Sequence, residues 1–238
     1  MEQSVIVVLT PDVKEARGLL GAFSRSGFVA QDATLGVLPC SVLPDLDMLV
    51  AVGGNGKAQF AAQTQYVLDR CPETKVLICA GAAGRLDAAI SIGDIVVGTG
   101  TVEHDYRTRM SPRPPPCHDP DPNILEQFVS IAARSAFPFR VHFGLIASGD
   151  EDIVDSARAQ ELRGLTHAMC VAWEGSGGAR AARLSHVPFI EIRCITDGAD
   201  STAHAAFQAN VGSVMSNVAQ LLAAWGGTGE ASVSGTVT

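Results

Sequence analysis

Short apolar runs alternate with amphipathic stretches along most of the chain. Val5–Leu9 is continuously apolar and β-branched, the pattern of a strand buried on both faces. Thr10 then offers a helix cap with Pro11 at the first helical position, and Asp12–Ser24 predicts a helix. Asp47–Val52 predicts a second buried strand, broken by Gly53-Gly54-Asn55-Gly56, before a helix over Lys57–Arg70. Lys75–Ala80 predicts a third strand that ends in a turn at Gly81-Ala82-Ala83-Gly84, and Ile95–Gly98 a fourth. Arg109–Pro122 contains six prolines and excludes regular structure. A loop of that length suits a site cover or a contact surface. Asn123–Phe137 reads as helix, Arg140–Ser148 as strand, Met169–Trp173 as a short strand and Gly175–Ser185 as helix. Pro188–Ile195 reads as a strand running into Thr196-Asp197, and Ala203–Trp225 as the last helix. Strands alternating with helices imply an α/β layer architecture. Neither an internal repeat nor a linker interrupts the pattern, so one domain is expected over residues 1–226, with residues 227–238 a flexible tail.

Composition narrows the classes. The chain has 238 residues, 47% of them hydrophobic and 18% charged, enough to bury a substantial core. The net charge is −8 and no Lys/Arg run occurs, so nucleic acid is not an expected partner and a small ligand is. No apolar run reaches the roughly 18 residues of a membrane span, and the start lacks the basic and apolar segments of a signal peptide. A soluble, cytoplasmic protein is expected. The six cysteines are scattered, without CxxC or zinc spacing, and read as reduced structural thiols. The histidines show no metal spacing, so no metal is assigned.

Candidate chemistry lies where strands end. Asp94, Glu103, Asp105, Asp150, Glu174 and Asp197 all occupy such positions, and ligands of open α/β sheets gather at the carboxyl ends of strands. A carboxylate there is either a helix cap or a partly desolvated general acid. The two glycine-rich stretches are neither a Walker A loop nor a full GxGxxG. They serve either as tight turns or as places where backbone approaches a ligand. Ser148 and Ser176 lack a GxSxG elbow.

Taken in order, these pieces resemble a known family. Gly54-Asn55-Gly56-Lys57-Ala58 is similar to the G-x-G-K-x-x-A turn of bacterial 5′-methylthioadenosine/S-adenosylhomocysteine nucleosidases. Ala80-Gly81-Ala82-Ala83-Gly84-Arg85-Leu86 resembles their T-G-x-A-G-G-L stretch. Ile92-Gly93-Asp94-Ile95-Val96-Val97 with His104-Asp105 resembles V-G-D-I-V…H-D, and Gly144–Asp150 resembles G-x-I-x-S-G-D. Val171-Ala172-Trp173-Glu174 corresponds to V-E-M-E. Val187-Pro188-Phe189 through Arg193–Asp200 is similar to V-P-F…R-x-I-S-D-x-A-D. The resemblance covers about residues 5–225 and identifies the chain as a member of the nucleoside phosphorylase/nucleosidase superfamily.

The resemblance implies an α/β fold, a three-layer α/β/α sandwich around a central mixed, twisted sheet. It implies a homodimer, no cofactor, and hydrolysis of the N-glycosidic bond of a purine nucleoside of the methylthioadenosine/S-adenosylhomocysteine type. Its residue roles make Asp197 the acid that protonates N7 of the base, and Glu174 the partner of the ribose hydroxyls. Arg193 orders the nucleophile site, Trp173 packs under the ribose, Phe207 lies near the 5′ substituent, and the backbone of Asp152-Ile153 faces the base. Ala82, Gly84 and Thr196 complete the substrate contacts. A further glutamate activates water in the family; its A-x-x-x-E pattern reaches Glu15 here only with an inserted residue, and Asp12 competes for the role. Trp173 stands for the usual Met, Asp152 for the usual Phe, Ala82 for a Ser/Thr-type position, and Gly175-Ser176-Gly177-Gly178 for an Ala-rich helix start. Phosphorylases of the same fold hold phosphate with arginines and a Ser in the glycine stretch. Cys79–Gly84 contains neither, which favours water as acceptor. A phosphate-dependent purine nucleoside phosphorylase and a non-catalytic nucleoside-binding protein are the two alternatives.

Overall fold

The computed structural model describes residues 5–227. Its centre is β1 (Val5–Thr10), buried from its second residue on. β1 pairs in parallel with β4 (Met48–Val52) on one side and β5 (Thr74–Arg85) on the other. A place in the interior of the sheet, with helices on both faces, explains the apolar runs of all three strands. Beyond β4 lie β3 (Leu38–Leu43) and β2 (Gln31–Leu35), an antiparallel hairpin that ends the sheet. Beyond β5 come β9 (Cys170–Ala172), β8 (Val141–Ser148), β6 (Ile95–Glu103) and β10 (Phe189–Asp197). β10 also pairs in parallel with β5, so β5, β9, β8, β6 and β10 close into a ring at one end of the mixed sheet.

Helices cover both faces. α1 (Val13–Arg25), α3 (Pro122–Arg134) and α6 (Ala203–Gly226) share one apolar cluster with the strands. α2 (Lys57–Leu68) and α5 (Gly175–Leu184) share another on the opposite side. α4 (Ser156–Thr166) covers β8. This is the expected three-layer α/β/α arrangement, with the ring closure as an addition.

Several local expectations change. The cap of α1 is Asp12, not Thr10, which is the last residue of β1. Asp12 accepts from Glu15 N while the Glu15 carboxylate accepts from Asp12 N, a reciprocal capping box. The stretch Gly81-Ala82-Ala83-Gly84 is not a turn. It continues β5, paired to Arg193–Asp197 of β10 and, at Gly84, to Val171 of β9. β6 likewise runs past Gly98 to Glu103. The proline-rich segment is irregular apart from β7 (Cys117–His118), a two-residue bridge to β6, and Pro122, which opens α3 behind the Asp121 cap. Gly227 caps α6; the remainder of the expected tail lies outside the described residues.

α6 is anchored by Trp225, fully buried and stacked on Phe128 of α3 with ring centroids 5.1 Å apart. Its indole N–H donates to Gln127 Oε1 at 2.8 Å. Trp225→Ala is expected to destabilise the protein by about 3–5 kcal/mol through cavity formation. Urea unfolding measures this, and a loss under about 1 kcal/mol would show that α3 and α6 close over the gap.

Candidate active site

One cavity of about 560 Å³ opens where β1, β5, β9 and β10 end. All three expected catalytic side chains line it: Glu15 from α1, Glu174 between β9 and α5, and Asp197 at the end of β10. So do Ala82, Gly84, Asp152, Ile153, Trp173, Arg193, Thr196 and Phe207. Residues separated by up to about 190 positions in the chain therefore meet in one place. Of the other strand-end acids, Asp94 bonds His142, while Glu103 and Asp105 pair with Lys57. Asp150 accepts from Lys57 N and donates its own N–H to Asp105. None of those four lines the cavity.

Glu15 is set by its helix cap and by β5. Its Oε2 accepts from Asp12 N at 3.0 Å and its Oε1 from Ala82 N at 2.6 Å. Pro11, four residues earlier, also lines the cavity. Asp12 turns its carboxylate to the start of α1 and Glu15 reaches in to Ala82 N, and both residues line the cavity. Burial pushes the Glu15 carboxyl up to about 8, against the lowering effects of the Ala82 N–H and Arg193.

Glu174 sits at the foot of α5, where Gly56 N donates to its Oε1 at 3.3 Å and Arg193 Nη2 lies 3.2 Å from its Oε2. Burial raises its pKa, with Arg193 opposing. Ser148 holds this corner from below, donating to Trp173 O and accepting from Ser176 N. Trp173 is fixed in turn by its indole N–H on Glu151 O at 3.1 Å. Glu151 is clamped by Arg158 of α4 through two bonds of 2.8 and 2.7 Å. The loop bearing Asp152-Ile153 is thereby tied to the aromatic wall.

Asp197 lies across the cavity floor. Its Oδ1 accepts from Ala199 N at 2.9 Å and its Oδ2 from Thr196 Oγ1 at 2.8 Å. Burial raises its pKa despite those bonds. Small residues on β5 make the approach possible: a Cβ at Gly84 would stand 2.8 Å from Asp197 Oδ1, and one at Gly81 would stand 2.7 Å from Glu15 Oε1. Arg193, almost wholly buried, ties the corner together with its Nη1 on Ala82 O at 3.3 Å. Arg85 points elsewhere, to Ile90 O.

Sequence reasoning missed Asn55, Glu151, His204 and Gln208 as cavity residues. His204 and Gln208 stand four apart at the start of α6 on the same side as Phe207, so helical spacing from Phe207 was the available signal. Asn55 and Glu151 lie in loops, where no periodicity reports direction.

The site carries six acids around its lining, namely Asp12, Glu15, Glu151, Asp152, Glu174 and Asp197, with Arg193 the one Lys or Arg in that lining. Such a site suits a neutral ligand that gains positive charge during reaction.

Removing Arg193 would leave buried carboxylates uncompensated. Arg193→Met is expected to cost about 3–5 kcal/mol in urea unfolding; a loss near zero would mean that Glu15 and Glu174 are neutral in the folded protein. Glu15 carries a second consequence. Its folded value is about 8 against an ordinary 4.5, so the folded state keeps a proton that the unfolded chain has lost. The stability this contributes is present below about pH 4.5 and is lost as pH rises through about 8. The dependence of Tm on pH across that window should slope less steeply downward in Glu15→Gln than in the wild type; equal slopes would remove Glu15 as its source.

Comparison with known proteins places these features in a wider setting. A family model described as the phosphorylase superfamily matches residues 40–225. A Staphylococcus aureus 5′-methylthioadenosine/S-adenosylhomocysteine nucleosidase is 26% identical over 176 residues, 71% of this chain and 76% of the relative. Among solved structures, the corresponding Neisseria meningitidis nucleosidase in complex with methylthio-immucillin-A superposes with a TM-score of 0.82 at 24% identity, covering 94% of this chain and 99% of that one. A Helicobacter pylori futalosine hydrolase also gives 0.82 at 22% identity, covering 93% and 97%. At these identities the structural likeness speaks for the fold.

Proposed function

The chain belongs to the phosphorylase superfamily, and on that basis we propose that it hydrolyses the N-glycosidic bond of a purine nucleoside of the methylthioadenosine/S-adenosylhomocysteine type. The observation that carries the reading is the convergence of Asp197, Glu174 and Glu15 on one cavity, with Arg193 between the last two. The nucleosidase relatives support it.

In this reading Asp197, its pKa raised by burial, delivers a proton to N7 of the base as the bond to C1′ lengthens. The sugar becomes an oxocarbenium-like cation, and Glu174 accepts hydrogen bonds from its hydroxyls. That contact strengthens as positive charge develops. Trp173 packs under the ribose, Phe207 near the 5′ substituent, and Asp152-Ile153 by the base. Glu15, as the carboxylate, takes a proton from a water molecule, and the resulting hydroxyl bonds to C1′. The products are the free base and the free sugar. With the Glu15 pKa near 8, turnover rises with pH toward that value while stability falls.

Water is the acceptor on electrostatic grounds. Phosphate would have to enter beside Glu15 and Glu174, and Arg193 is already engaged by carboxylates on two sides. The reading extends to a cytoplasmic homodimer, supported by the family resemblance and by exposed Tyr106, Met110 and Val154, which offer apolar surface to a second copy.

Release of adenine from methylthioadenosine or S-adenosylhomocysteine should proceed equally with and without phosphate. Asp197→Asn should lower kcat by about 10²–10⁴-fold while calorimetry still detects nucleoside binding. Release that requires phosphate would make the protein a phosphorylase, and unchanged turnover in Asp197→Asn would end the acid role.

A further inference from the structure

Glu191 is a fully buried carboxylate with no part in the mechanism above. It stands two residues before Arg193 on β10, so the two side chains leave the same face of the sheet. Its Oε1 accepts from Arg193 Nε at 2.8 Å, and its Oε2 from Thr101 Oγ1 on β6 at 2.5 Å. The opposite edge of the guanidinium meets the cavity, with Nη2 toward Glu174 Oε2 and Nη1 on Ala82 O. One cation is thus shared among Glu15, Glu174 and Glu191.

Space for the third carboxylate comes from the glycine-rich start of α5. A Cβ on Gly175 would stand 2.0 Å from Glu191 Oε2, so the carboxylate would have to move. Gly175 and Glu191 are therefore one structural device, and Gly175 directly follows Glu174.

We propose that Glu191 is a positioning residue of the hydrolytic site: it anchors the rear of the Arg193 guanidinium and draws part of its charge away from Glu15 and Glu174. Its purpose rests on the nucleosidase reading, whereas the division of charge does not. Charged or titratable groups facing Glu191 are Arg193 on its own strand, Cys79 on β5, Cys170 on β9 and Glu174 beside α5. Those facing Glu15 are Asp12, Cys79, Glu174 and Arg193. Arg193 is the only cation in either set. Removing the charge of Glu191 gives Glu15 a larger share of that cation, which favours its ionised form.

Glu191→Gln removes the charge while the amide can still accept from Arg193 and donate to Thr101. Carbon-13 NMR of protein labelled at glutamate carboxyls reads the Glu15 titration directly, assigned by the signal missing in Glu15→Gln. It should fall near 8 in the wild type and about one pH unit lower in Glu191→Gln. The acid limb of the kcat/KM profile should move down by the same amount. A Glu15 titration that is unmoved or raised overturns the proposal, as does activity lowered uniformly at every pH with the limb in place. The NMR titration needs no substrate, so a wild type that releases no base would sink the nucleosidase reading and leave this measurement standing. Where Glu191→Gln does not fold, the double variant Glu191→Val/Gly175→Ala fills the vacated space and should show the same downward shift. Failure of both variants to fold assigns Glu191 a purely structural role and overturns the proposal.

Discussion

A single buried guanidinium holds the functional corner of this protein together. Arg193 lies on β10 in the ring formed by β5, β9, β8, β6 and β10, almost wholly buried at the edge of the cavity. A cation in that position is tolerated only with charged partners and satisfied donors. Glu191 and Glu174 supply the charge, and Ala82 O and Cys79 Sγ take further hydrogen bonds. Glu15 and Glu174 depend on it in turn, since it is the one Lys or Arg in the cavity lining. Catalytic arrangement and local stability are therefore the same set of contacts.

The price of that arrangement is backbone without side chains. β5 carries Gly81, Ala82, Ala83 and Gly84 at the point where α1 and β10 bring their acids closest. Larger residues would push Glu15 and Asp197 out of place. Gly175 does the same for Glu191. These glycines are selected by close approach rather than by turn geometry, which is why a stretch that looks like a turn proves to be the middle of the sheet.

Around the acids, the wall is built by linked side chains. Ser148 fixes the Trp173 carbonyl, the Trp173 indole holds Glu151, and Arg158 clamps the Glu151 carboxylate from α4. The substitution of Trp173 and Asp152 for the family's more apolar Met and Phe thus comes with its own support. A pocket lined by an indole and six acids offers its ligand a different surface from one lined by Met and Phe.

The apolar runs by themselves determined the parallel strands and the amphipathic helices, because a segment buried on both faces must be apolar at every position. Six ordered motifs also singled out Glu174 and Asp197, and both line the cavity. β2 escaped notice because it is short, polar and exposed, β3 because Pro39 and Ser41 interrupt its apolar run, and α4 because little of its surface is buried. Only the tertiary structure showed that Asp12 caps α1 while Glu15 reaches Ala82 on β5. It alone turned Gly81–Gly84 from a turn into a strand, and it alone placed Glu191 behind Arg193. Those outcomes rest on contacts between segments distant in the chain, and local periodicity carries no information about what a side chain meets across a sheet.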